Sequence, residues 1–193
     1  MGPVMPDSQR FKVAFIGSHG VGKTTLCYGL AARLKARDVA LEVVREVARR
    51  SPLPINQSTS VASQSWILHT QIAEELVAES HHGVVICDRS VLDNYVYLLV
   101  AAGPRPPLEP LVDSWMATYD LLLHVPIVEQ PSADGIRATD PAFQRAIDER
   151  LLKELEQRHR SVEFLDPENR DLWLDTAERL VQEHLVPPQM QLV

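Results

Sequence analysis

A short apolar run that feeds directly into a glycine-rich loop, FKVAFIGSHGVGKTT over residues 11–25, limits this chain more than any other part of it. Residues 13–16 are Val, Ala, Phe and Ile, the composition of a buried strand. The stretch that follows, GSHGVGKT, satisfies G-x-x-x-x-G-K-[ST] at every fixed position. Its glycines clear side-chain volume and let backbone N–H groups turn inward toward a pyrophosphate. The helix expected from Lys23 presents its N-terminus to the same anion. Lys23 brings a positive charge to the outer phosphates, and the Thr24 hydroxyl is a Mg²⁺ ligand. The expected nucleotide loop is therefore Gly17, Ser18, His19, Gly20, Val21, Gly22, Lys23, Thr24 and Thr25. No G-x-G-x-x-G is present, so the dinucleotide fingerprint is missing.

Strands and helices alternate along the rest of the chain. Leu26, Leu30 and Leu34 recur every four residues and predict a helix over 23–37. Residues 41–44 read as a second strand, and Pro52 and Pro54 prevent a helix from starting after it. Ser60 or Ser63 caps the next helix, which runs to about residue 79. On it, Gln64 and Gln71 lie seven apart on one face and read as solvated glutamines, with recognition of a base or amide edge as the alternative. The run 83–87 is continuously apolar and ends on Asp88, as expected of a central parallel strand. Ser90 caps a helix over 91–102, and further helices are expected at 111–118, 140–158 and 172–185. Strands at 121–125 and 162–165 complete the set. The expectation is an α/β fold, a three-layer P-loop NTPase with a five-stranded parallel sheet flanked by helices. It spans 1–193 as one domain, with loose ends at 1–10 and 186–193 and a lid at 131–140.

Composition removes several function classes. No apolar run approaches the ~20 residues of a membrane span, and the opening MGPVMPDSQR lacks the basic and apolar parts of a secretory signal. Cys27 and Cys87 lie among apolar neighbours without a C-x-x-C pair, which suits buried thiols and a cytoplasmic location. The histidines show no ligand spacing, so no structural zinc is expected. A net charge of −7 disfavours a nucleic-acid backbone as partner.

A phosphate loop alone does not separate a motor, a switch and a kinase. The strand ending Val84-Val85-Ile86-Cys87-Asp88 places a carboxylate beside the Mg²⁺ of such a loop, so Thr24 and Asp88 are the expected metal ligands. Arg89 follows where a motor would carry a second, water-activating acid, and a cation there suits a phosphate or sugar substrate. Asp88 has an alternative reading as a helix cap, Arg89 as a structural ion pair and Glu46 as a solvated strand-end charge.

With these residues the chain resembles the P-loop kinases of nucleosides and nucleotides, a group that includes deoxynucleoside kinases, thymidylate kinases and the nicotinamide riboside kinase-like branch. The resemblance covers most of residues 11–165. It rests on the loop, on Asp88-Arg89, on Glu46 in VVREVARR and on Arg137 in ADGIRATD. Glu46 departs from the Glu-Pro pair of the deoxynucleoside kinases, since Val47 follows it. No N-K-x-D or T-K-x-D occurs, which favours ATP over GTP. The resemblance implies an ATP- and Mg²⁺-dependent phosphotransferase acting on a small nucleoside, nucleotide or similar hydroxyl acceptor. The expected catalytic set is Lys23, Glu46, Asp88, Arg89 and Arg137, with Glu46 or Asp88 as base. Two alternatives stay open: an NTP-hydrolysing switch read by a protein partner, and a kinase for a nucleic-acid end or base with a basic groove around Arg45, Arg49, Arg50 and Arg105.

Overall fold

The computed structural model describes residues 10–55, 59–128 and 140–185. Arg137 and, apart from Asp140, the expected lid at 131–140 lie outside them. The element order is β1 (Phe11–Ile16), α1 (Lys23–Lys35), β2 (Leu41–Val44), α2 (Val61–His81), β3 (Val84–Asp88), α3 (Val91–Ala102), α4 (Glu109–Met116), β4 (Leu121–His124), α5 (Pro141–Gln157), β5 (Glu163–Phe164) and α6 (Trp173–Leu185). Short 3₁₀ turns occupy Val47–Arg50 and Arg170–Leu172. Every expected strand and helix is present, with ends displaced by a residue or two, as fraying termini allow.

All strand pairs are parallel, in the order β2-β3-β1-β4-β5. β1 sits at the centre, buried along its whole length. The chain leaves β1 toward one edge, returns as β3, then crosses to β4 on the far side of β1. That reversal opens a crevice beyond the carboxyl ends of β1 and β3, where open α/β sheets bind ligands.

Alternation along the strands divides the core into two layers. Phe11, Val13 and Phe15 face α1 and α6, together with Val84, Ile86, Leu121 and Leu123. Ala14 and Ile16 face α2, α3, α4 and α5, together with Val85, Cys87 and Leu122. Lys12 shares this second face and is buried with it, its ammonium paired with Glu79 and, at 3.0 Å, with Glu75. Burial would lower the Lys12 pKa, but the two carboxylates outweigh it and hold it above its ordinary value.

Gln64 and Gln71 are not solvated, contrary to the sequence expectation; both are buried. They continue the inward stripe of α2 formed by Ile67, Leu68 and Ala78, so helical period turns them into the protein.

Candidate active site

The loop after β1 is shaped by backbone positions that only glycine fills easily. Gly17 has φ +132, and a Cβ there would lie 2.7 Å from the Val125 carbonyl oxygen on the neighbouring segment. Gly22, at φ +101, ends the loop as the N-cap of α1. No side chain caps this helix, so its first N–H groups remain for an anion. Lys23 folds back inside the loop and donates to the carbonyls of Gly17, at 2.7 Å, and Ser18, at 2.5 Å. Burial, and next the Arg89 charge, hold its ammonium down to a pKa of about 8. Thr25, expected in the same set, points to solvent. Val21 instead joins the core.

β3 runs beside β1 and brings Asp88 level with Phe15. The Thr24 hydroxyl donates to Asp88 Oδ2 at 2.6 Å, so the two expected metal ligands meet across 64 residues of sequence. A hydroxyl and a carboxylate are hard oxygen donors, and Mg²⁺ is commonly held by one or two such groups plus substrate phosphates. The pair fits that ion. Asp88 is not a helix cap: Ser90 fills that role, with Asp93 closing a capping box. Burial raises the Asp88 carboxyl pKa, against the pull of Lys23 and the Thr24 hydrogen bond.

Arg89 turns its main chain sharply, to φ +95. For a bulky residue this conformation costs about 1–3 kcal/mol and persists only where the surroundings impose it. The turn directs the guanidinium to Glu46, with Nε and Nη2 at 3.0 and 2.8 Å from Oε1, and lays it over the Tyr97 ring at 5.1 Å. Arg89 is thus ion-paired with Glu46, and the same residue lines a pocket. Glu46 is not a solvated strand-end charge; its side chain is 12% exposed. Burial would raise its pKa, but Arg89 and Lys23, helped by Arg49, bring it down to about 2.

Glu46 and Arg89 form one wall of a pocket completed by His19, Gln64, Asn94 and Tyr97. Among the described residues, the amide nitrogen of Asn94 and Nη1 of Arg89 are buried there without a hydrogen-bond partner. Such groups are costly to leave unpaired, and a polar ligand would satisfy them. A second hollow is lined by Thr24, Asp88, Tyr28, Arg45 and again Glu46. Glu46 thus lines both hollows, the one beside Thr24 and Asp88 and the one beside Arg89.

Several contributors were not singled out from sequence. Asp93 accepts from the Gly17 N–H at 2.9 Å while its other oxygen takes the Ser90 N–H and hydroxyl. Its spacing from Ser90, S-x-x-D ahead of an apolar run, is a readable capping-box signal. From α5, Gln144 donates to the His19 carbonyl at 2.7 Å, and Asp148 accepts from the Ser18 N–H at 3.3 Å. His19 turns away from the loop, its Nδ1 3.0 Å from the Tyr97 hydroxyl and its ring against Phe143. No local pattern announces those α5 contacts.

A match to the AAA domain family spans residues 12–170. The chain belongs to that family. Among curated proteins, no sequence matches this AAA-domain chain. Its fold is that of solved P-loop structures. NadR in complex with NR aligns at a TM-score of 0.73 and 23% identity, over 91% of this chain and 52% of that one. NadR with NAD and AMP-PNP aligns at 0.69 and 21%, over 91% and 49%. The chain spans about half the length of these NadR chains. A deoxyadenosine kinase from M. mycoides with bound dATP aligns at 0.61 and 15%, over 91% of this chain and 99% of that one. Among the described residues, no helix of this AAA-domain protein is long and apolar enough to cross a membrane.

Proposed function

We propose that this protein is an ATP-dependent phosphotransferase whose acceptor is a small nucleoside-like hydroxyl compound, bound in the pocket beside Arg89. The observation that carries the reading is that pocket: a wall of Glu46 and Arg89 with unpaired buried donors, where Glu46 also lines the hollow beside the Thr24–Asp88 pair. A pocket with both apolar surface and buried donors suits a small organic acceptor, and Arg89 stands where a second acid would activate water. The solved relatives in fold carry NR, NAD, AMP-PNP and dATP, which supports nucleoside-containing ligands. The basic groove of a nucleic-acid kinase is partly neutralised, since Arg49 pairs with Glu46 and Arg50 with Glu74.

In the proposed reaction the loop amides and Lys23 hold the β- and γ-phosphates, with Lys23 exchanging its carbonyl contacts for phosphate oxygens. Thr24 and Asp88 would hold Mg²⁺, which offsets phosphate charge when bound. The acceptor oxygen bonds to the γ-phosphorus while the bond to the β–γ bridging oxygen breaks, and ADP departs with that electron pair. The acceptor proton passes to Glu46. A carboxylate with a pKa near 2 is a weak base, which suits a loose transition state in which the hydroxyl proton leaves late. Arg89 orients the acceptor; Arg137, the other cation expected from the sequence, lies outside the described residues. Positioning and electrostatics supply most of the rate.

Calorimetric titration of adenosine, deoxyadenosine, cytidine and NR into protein saturated with Mg²⁺ and a non-hydrolysable ATP analogue tests the pocket. Wild-type protein should bind at least one of them, and Arg89→Ala should weaken that binding about tenfold to a hundredfold without changing analogue affinity. Binding unaffected by Arg89→Ala would place the acceptor elsewhere.

A further inference from the structure

The conformation of Arg89 is held from both sides by groups that never touch the pocket. Its N–H donates to the Phe15 carbonyl of β1 at 3.1 Å. Its carbonyl accepts from Gln71 Nε2 at 3.3 Å. The same Nε2 donates to Glu75 Oε1 at 2.8 Å, so both amide protons of Gln71 are used on acceptors. Neither contact tolerates the opposite amide orientation, because a carboxylate and a carbonyl cannot donate. The cost of this arrangement is visible: Gln71 Oε1 is buried with no partner among the described residues.

Glu75 is what fixes the choice. Its side chain is fully buried, and donors surround both oxygens. Tyr119 donates its hydroxyl to Oε1 at 2.6 Å beside Gln71, while Lys12 at 3.0 Å and the Trp115 indole at 2.7 Å donate to Oε2. The Lys12 ammonium lies between the Trp115 and Tyr119 rings, 4.8 and 4.7 Å from their centroids, which holds it against the carboxylate. The Tyr119 hydroxyl also accepts from the Val91 N–H at 3.0 Å, bracing the start of α3 two residues beyond Arg89. A hydrogen-bonded chain thus runs from Lys12 through Glu75 and Gln71 to the one non-glycine residue of the site at positive φ.

We infer that Gln71, oriented by Glu75, is a positioning residue for Arg89: it holds the main chain in the turn that delivers the guanidinium to Glu46 and the acceptor pocket. Its functional consequence rests on the acceptor reading above; the hold on Arg89 does not. Removing the amide frees the Arg89 carbonyl, the φ +95 turn relaxes, and the guanidinium leaves Glu46.

The test reads Arg89 directly. In ¹⁵N-labelled protein, the Arg89 Nε–H signal is the side-chain resonance missing from Arg89→Lys. Bonded to Glu46, it should exchange slowly with water, and Gln71→Met should speed that exchange by about tenfold or more while the amide spectrum stays dispersed. If Gln71→Met does not fold, Gln71→Asn, which withdraws the amide by one methylene, serves the same comparison. An Arg89 Nε–H unchanged in position and exchange in the folded variant overturns the inference. Nucleoside titration separates this from the acceptor reading. Gln71→Met should weaken nucleoside binding in the presence of Arg89 and have no further effect in Arg89→Ala, whereas a general packing role would weaken both. If the guanidinium is released but nucleoside affinity does not respond to Arg89 at all, the positioning role stands and the acceptor reading fails.

Discussion

Lys23 carries the sharpest consequence at the scale of single residues. In the loop its ammonium is buried, donates to two carbonyls, and has a pKa near 8 where an exposed lysine has 10.5. Phosphates favour the charged form, so a nucleotide binds the protonated protein. Affinity for a non-hydrolysable ATP analogue should be level below pH 8 and fall about tenfold per pH unit above it, because each unit halts one more decade of protonation. Lys23→Met should bind weakly with no such slope. Calorimetry across pH 7–10 checks both, and a wild-type affinity that stays level up to pH 10 would contradict the account. That Lys23, Thr24 and Asp88 meet at one place was legible, because a spaced motif and a strand-end carboxylate mark them. Gln71 was not. A glutamine on a helix is usually solvated, and only its place in the stripe with Ile67, Leu68 and Ala78 marks it as buried.

Among the elements, α3 ties the fold to the loop most economically. Ser90 and Asp93 cap each other reciprocally, yet Asp93 alone also reaches Gly17. Ser90→Ala should therefore cost about 1 kcal/mol, the worth of a cap. Asp93→Ala leaves three buried donors without an acceptor and should cost about 2–4 kcal/mol. Urea unfolding measures both. Only Asp93→Ala should also weaken ATP-analogue binding, and equal effects from the two substitutions would reduce Asp93 to a cap. Helix positions themselves were readable from period and punctuation: Ser60, Ser90 and Asp140 each cap the helix they precede. What α5 does was not readable, since Asp148 meets Ser18 across 130 residues of sequence and Gln144 meets His19 across 125. Lys12 was readable only in hindsight. Strand alternation places it on the face of Ala14 and Ile16, but its acidic and aromatic partners come from α2 and the region of α4.

At the scale of the whole molecule, strand order does the assembling. Placing β1 between β3 and β4 brings the phosphate loop, the Asp88-Arg89 strand end and the α5 contacts to one edge of the sheet. The number of strands and their parallel sense followed from alternating apolar runs and helices; their order did not, because nothing local records which strand lies beside which. The central claim is that this edge passes a phosphoryl group to an acceptor and not to water. Incubation with γ-labelled ATP, Mg²⁺ and a panel of nucleosides, nucleoside monophosphates and NR measures where the label goes. The account predicts labelled nucleoside product at a rate well above labelled inorganic phosphate, abolished in Lys23→Ala. Label released only as inorganic phosphate, at the same rate with and without every acceptor, would contradict it.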